Sequence, residues 1–131
     1  MTAPVLSDRE RQWIGDILRE SAQAIAWLGD QDAESFEEDA RNLAAVERKV
    51  MNVTEACLRI ERGRGEPGRF AELFPGHEIE KIRGMGNILR HGYDDIQVPV
   101  IYDTVKLELP QLHARSKALL DLKANGADGQ E

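Results

Sequence analysis

Along residues 43–60, Leu43, Val50 and Cys57 alternate with Val46, Val53 and Ile60 at intervals of three and four, an a/d lattice sustained over three heptads. Such a seam puts an apolar stripe along one side of a long helix, and in water the stripe must be covered by other helices. In a chain of 131 residues this points to an antiparallel bundle rather than a fibrous coiled coil. Ser35-Phe36-Glu37-Glu38, just upstream, has the capping-box spacing, in which a hydroxyl and a carboxylate reciprocally satisfy free backbone donors. The helix is therefore expected over about 35–62. Cys57 falls on the seam and reads as a small core hydrophobe. As the single cysteine it excludes an intrachain disulfide and a multi-thiolate zinc site, and it fits a reducing compartment.

The other elements follow from the same signals. Ser7-Asp8-Arg9-Glu10 is a second capping box, followed by Ile14, Leu18, Ile25 and Leu28, so a first helix is expected near 7–29. Trp13 and Trp27, two heptads apart on that helix, read as core or dimer surface. Gly63-Arg64-Gly65-Glu66-Pro67-Gly68 is the strongest breaker cluster and ends the second helix. A short helix or turn near 69–73 and a further helix from about Glu78 to Gly92 come next. Val98, Ile101, Val105, Leu109, Leu112 and Leu119 continue at helical spacing, with Pro110 expected to kink or restart the last helix. No segment alternates with period two. The expected fold is all-α, an antiparallel bundle of four to five helices, with residues 1–123 as a single domain and 124–131 as a disordered tail.

Charge narrows the function classes. The chain carries 17 basic and 24 acidic side chains, a net charge of −7, which excludes a uniformly basic nucleic-acid binder. Only the middle is net positive: residues 58–91 hold 7 basic and 5 acidic side chains. Arg59, Arg62, Arg64, Arg69, Lys81, Arg83 and Arg90 lie there, so a local phosphate-docking surface is expected in this region. Among metal motifs, His77-Glu78-Ile79-Glu80-Lys81 lacks a zincin's second histidine, and the glycine cluster at 63–68 lacks the Lys-Ser/Thr of a phosphate loop. No metal and no cofactor are implied. The N-terminal segment has neither a basic cluster nor an apolar run, and no stretch approaches the ~18 apolar residues of a membrane span. A cytoplasmic location is expected.

Lys81 to Asp95 concentrates polar functional groups on a helix that otherwise builds core. At 100° per residue Arg83, Asn87, Arg90 and His91 fall on one side, while Ile82, Met85, Leu89 and Tyr93 line another. Histidine exchanges a proton near neutral pH and guanidinium holds phosphate oxygens, a combination suited to metal-independent RNA cleavage. In that scheme His91 takes the ribose 2′-hydroxyl proton or protonates the leaving oxygen, while an arginine stabilises charge at phosphorus.

Gly84-Met85-Gly86-Asn87-Ile88-Leu89-Arg90-His91-Gly92-Tyr93, followed by Ile101-Tyr102-Asp103-Thr104-Val105 and Leu109-Pro110-Gln111-Leu112, resembles the HepT-type toxins of the HEPN superfamily (higher eukaryotes and prokaryotes nucleotide-binding). The resemblance covers most of the chain. It implies a helical ribonuclease toxin that forms a homodimer, with motifs of both subunits meeting in one cleft over RNA, and a minimal nucleotidyltransferase antitoxin as partner. It makes Asn87 the motif's polar residue, His91 the catalytic histidine and Tyr93 the tyrosine to which the partner attaches AMP. The motif arginine does not carry over, because Gly86 stands directly before Asn87, and Ile79 stands where the family favours tryptophan. Either Arg83 or Arg90 supplies the missing charge, or the chain is a degenerate member that binds its partner or RNA without cutting. Arg83 lies two turns from His91, about 12 Å of rise, so it would reach a shared phosphate only beside the other subunit's histidine.

Overall fold

The computed structural model describes residues 3–91 and 98–130. Its elements are α1 (Asp8–Leu28), α2 (Ala33–Glu38), α3 (Ala40–Arg62), α4 (Arg69–Leu73), α5 (Ile79–His91), α6 (Val98–Asp103), a π-helical turn (Thr104–Glu108) and α7 (Leu109–Gln130). The fold is all-α, with no strand among the described residues. The backbone of α7 is helical to Gln130, through most of the segment expected as a tail.

The α1 capping box forms: the Ser7 hydroxyl accepts from the Glu10 N–H, and the Glu10 carboxylate accepts from the Ser7 N–H, both at 3.0 Å. The inward stripe of α1 is Glu10, Ile14, Ile17, Ser21, Ala24 and Leu28. Ile14 and Leu28 were legible in the sequence, whereas Leu18 and Ile25 sit at the edge of the stripe and are half-buried. Trp13 packs partly against the core, while Trp27 is exposed with the Lys49 ammonium 5.0 Å from its ring centroid.

The single helix expected over 35–62 is two. Asp39 leaves helical geometry (φ −95°, ψ 80°) and its carboxylate accepts from the Asn42 N–H, capping α3. Asp32, rather than Ser35, caps α2. The break turns Phe36 into the core, fully buried, with its ring 6.2 Å from that of Tyr102. Beyond it the heptad lattice holds, with Val46, Val50, Val53, Cys57 and Ile60 buried.

Pro110 restarts the last helix, as its missing N–H demands. The Leu109 N–H bonds back to the Thr104 carbonyl, a π-type closure, and the Gln111 side chain donates to the Leu107 carbonyl at 2.9 Å. Ile101, Val105, Leu109, Leu112 and Leu119 then form a buried stripe. In the bundle α1 packs against α3 and α7, and α5 packs against α3. Among these four helices α5 packs chiefly against α3. Behind it, between α3, α5 and the start of α7, lies a cavity of about 270 Å³ floored by Val50, Val53, Cys57, Ile82, Met85 and Leu112.

Candidate active site

Helix α5 has its polar and apolar faces where the sequence places them. Ile82, Met85 and Leu89 pack against the core, Asn87, Arg90 and His91 are exposed, and Arg83 is half-exposed. Glu80 in the first turn and Arg90 and His91 in the last complement the helix dipole. Tyr93 and Gly92 lie outside the described residues.

The structure brings two of the four candidate residues into direct contact and separates a third. Arg90 Nη2 donates to Asn87 Oδ1 at 3.2 Å, and Arg90 Nη1 donates to Glu55 Oε2, on α3, at 2.9 Å. The other Glu55 oxygen is 3.8 Å from Arg62 Nη2. Arg83 faces the start of the helix, where its Nε donates to the Glu80 carboxylate at 3.2 and 3.3 Å. His91 follows Arg90 at the helix end. The exposed face therefore holds an imidazole, an amide and one guanidinium already fixed on two sides.

The buried side of the same turn is Gly86, the one buried residue of α5. A Cβ built there would stand 3.0 Å from Thr54 Oγ1, 3.4 Å from Thr54 Cβ and 3.7 Å from Arg90 Nη2. Thr54 has little room to yield, since it is buried and its hydroxyl donates to the Met51 carbonyl at 2.7 Å. Here α5 meets α3 closely because position 86 carries no side chain.

Not every cation of the basic middle segment faces outward. Arg69 is buried: its Nε donates to Glu10 Oε2 at 2.6 Å, and its Nη2 donates to Glu10 Oε1 at 3.0 Å and to the Val5 carbonyl at 2.7 Å. Arg64 reaches the same carboxylate at 3.3 Å. Hydrogen bonds from Arg69 hold the Glu10 carboxyl down at about 2 although burial opposes ionisation. Arg69 thus ties α4 to α1 and is removed from the phosphate-docking set. Cys57 is fully buried, and desolvation pushes its thiol well above the ordinary range, in keeping with a core role.

Two residues of the site were missed by sequence reasoning, Glu55 and Thr54. Both reach the site across a helix–helix contact from more than thirty positions away, and no local pattern marks them. The one available signal was a lone acid seven residues before Arg62 on a stripe that turns basic. Among the described residues no group of three or more His, Cys, Asp or Glu is placed to hold a metal ion, and no helix is long and apolar enough to cross a membrane.

A family model described as HepT-like, ribonuclease HepT-like, matches residues 17–119. No curated protein and no solved structure matches the chain.

Proposed function

The chain belongs to the HepT-like ribonuclease family, within the HEPN superfamily, and on that premise we propose that it is a metal-independent endoribonuclease toxin acting on RNA. The observation that carries the proposal is the exposed end of α5, where Asn87, Arg90 and His91 stand together on one helix. His91 serves as the proton carrier. It takes the proton of a ribose 2′-hydroxyl, whose oxygen attacks the adjacent phosphorus, and the bond to the 5′ oxygen breaks as that oxygen receives a proton. Asn87 orients the phosphate, and a guanidinium neutralises charge gathering on its oxygens.

Two copies acting together bring two such helix ends to one cleft. Ile88, 46% exposed on the same helix, is an apolar side chain that a second copy would cover. The toxin is held in check in the cytoplasm by a minimal nucleotidyltransferase antitoxin that transfers AMP to Tyr93. The phenol oxygen attacks the α-phosphate of ATP and pyrophosphate departs.

The test is incubation of the purified protein with mixed cellular RNA in EDTA, beside His91→Ala. Cleavage by the native chain that falls ~10²–10⁴-fold in the variant supports the enzyme. A second reading, a module that binds its partner or RNA without cutting, is favoured by Gly86 in place of the motif arginine. Intact RNA after incubation with the native chain would establish that reading instead.

A further inference from the structure

We propose that Arg90 is the phosphate-contacting cation of this site and that Glu55 and Gly86 are what position it there. The proposal rests on the ribonuclease reading above. Helix α5 carries three cations. Lys81 lies 3.6 Å from Glu78 and Arg83 is paired with Glu80, both one turn back on the exposed side. Arg90 alone crosses to α3, and it alone is bonded to Asn87.

A guanidinium has five N–H donors in a planar fork. Glu55 occupies one and Asn87 another, so the group is oriented while other donors stay available to phosphate oxygens. Its side chain is 37% exposed, against 32% for Glu55, so the fork sits at the surface and not inside the bundle.

Gly86 makes the seat. Arg90 Nη2 lies 3.7 Å from the point where a Cβ at position 86 would stand, and Thr54 Oγ1 lies 3.0 Å from it. A Cβ at 86 would make Thr54 give by a few tenths of an ångström and would already touch the Arg90 guanidinium, so a longer side chain there competes with Arg90 for space. On this proposal an arginine at 86 takes the space that the Arg90 guanidinium now fills. The glycine is the condition for a cation delivered from one turn later, and not a lesion in the site. Glu55 completes the arrangement from α3, where its second oxygen faces Arg62. It is a positioning residue, since it acts on phosphate only through Arg90.

Steady-state cleavage of a single-stranded RNA separates these roles, with the thermal midpoint of each variant recorded to confirm folding. Arg90→Ala lowers kcat/KM by ~10²–10³-fold, the loss expected for one charge-stabilising donor, whereas Arg83→Ala lowers it by under about threefold. Glu55→Ala lowers kcat by about tenfold without raising KM, because an unheld guanidinium is rarely in place, and Glu55→Gln, which keeps an acceptor for Nη1, restores most of it. Gly86→Arg is no more active than Arg90→Ala.

Arg90→Ala cutting as fast as the native chain, while His91→Ala does not cut, overturns the assignment and leaves the ribonuclease reading standing. Gly86→Arg cutting faster than the native chain, or Arg83→Ala as damaged as Arg90→Ala, overturns it as well. Native kcat in Glu55→Ala removes Glu55 from the proposal. A native chain that leaves RNA intact, or His91→Ala with native activity, overturns the ribonuclease reading and this inference together.

Discussion

Two carboxylates in this bundle each gather two arginines, and burial gives them opposite characters. Glu10 holds Arg69 and Arg64, and the Glu10 and Arg69 side chains are only 3% and 7% exposed. Glu55 holds Arg90 and Arg62 at the surface, with Arg62 60% exposed. The first cluster closes on itself: Arg69 also donates to the Val5 carbonyl, and Glu10 accepts from its own helix cap. The second is open to solvent and adjoins Asn87 and His91. The same residue types are an internal tie in one place and, in the other, a solvent-exposed pair that leaves guanidinium donors free.

The largest effect expected from this contrast is on stability. Arg69→Ala leaves the buried Glu10 carboxylate only the half-exposed Arg64 and the Ser7 N–H, and breaking such a buried pair costs up to about 3–5 kcal/mol, which urea unfolding at neutral pH measures directly. Replacing both partners, Glu10→Met with Arg69→Met, recovers most of that loss, because apolar groups of similar volume need no partner in a dry site. A loss under about 1 kcal/mol in the single variant would put Arg69 in the class of surface pairs and dissolve the distinction.

That distinction also marks where sequence reading stops. The elements were legible because their signals are local: the Ser7–Glu10 capping box, the heptads of α3, the breakers at 63–68 and Pro110 each act within a few residues. Asp39 was not, because the Ser35-Phe36-Glu37-Glu38 pattern mimics a helix start. The true caps are Asp32 and Asp39, chosen by the need to turn Phe36 inward. In the site, Asn87, Arg90 and His91 share a helix and their common face follows from its period. What sets Arg83 and Arg90 apart, the Glu55 that α3 presents to Arg90 alone, has no local mark in the sequence. For the same reason Arg69 looked like a docking cation, since its partner lies 59 positions away. Tyr93 falls outside the described residues.

A comparable effect follows from pH. The Glu10 carboxyl is held at about 2 in the fold against an ordinary 4.5, chiefly by hydrogen bonds from Arg69. A carboxyl lowered on folding contributes its stability in full above the unfolded value and loses it as pH falls through the folded one. The contribution is about 3 kcal/mol near neutral pH and fades between about pH 5 and 2. Stability measured against pH should fall over that window in the native chain and fall less steeply in Glu10→Gln. The two curves should converge near the acid end, where both side chains are uncharged. Parallel curves would mean that the ion pair does not drive acid sensitivity.

The smallest effect belongs to the surface cluster, and its smallness is what suits it to function. Glu55→Gln and Arg62→Ala should each change unfolding free energy by less than about 1 kcal/mol, because exposed partners regain water when parted. Arg62 should nevertheless register in RNA binding if phosphate follows the path that the Glu55 carboxylate marks. The slope of log affinity against log salt would then lose about 0.7 in Arg62→Ala, one contact on a single strand. Parting an exposed pair of this kind costs the fold little, whereas opening the Glu10 cluster would cost it several kcal/mol. Loss of more than about 2 kcal/mol in Glu55→Gln would show that the surface cluster is also a structural tie. The contrast between the two clusters would then be one of degree and not of kind.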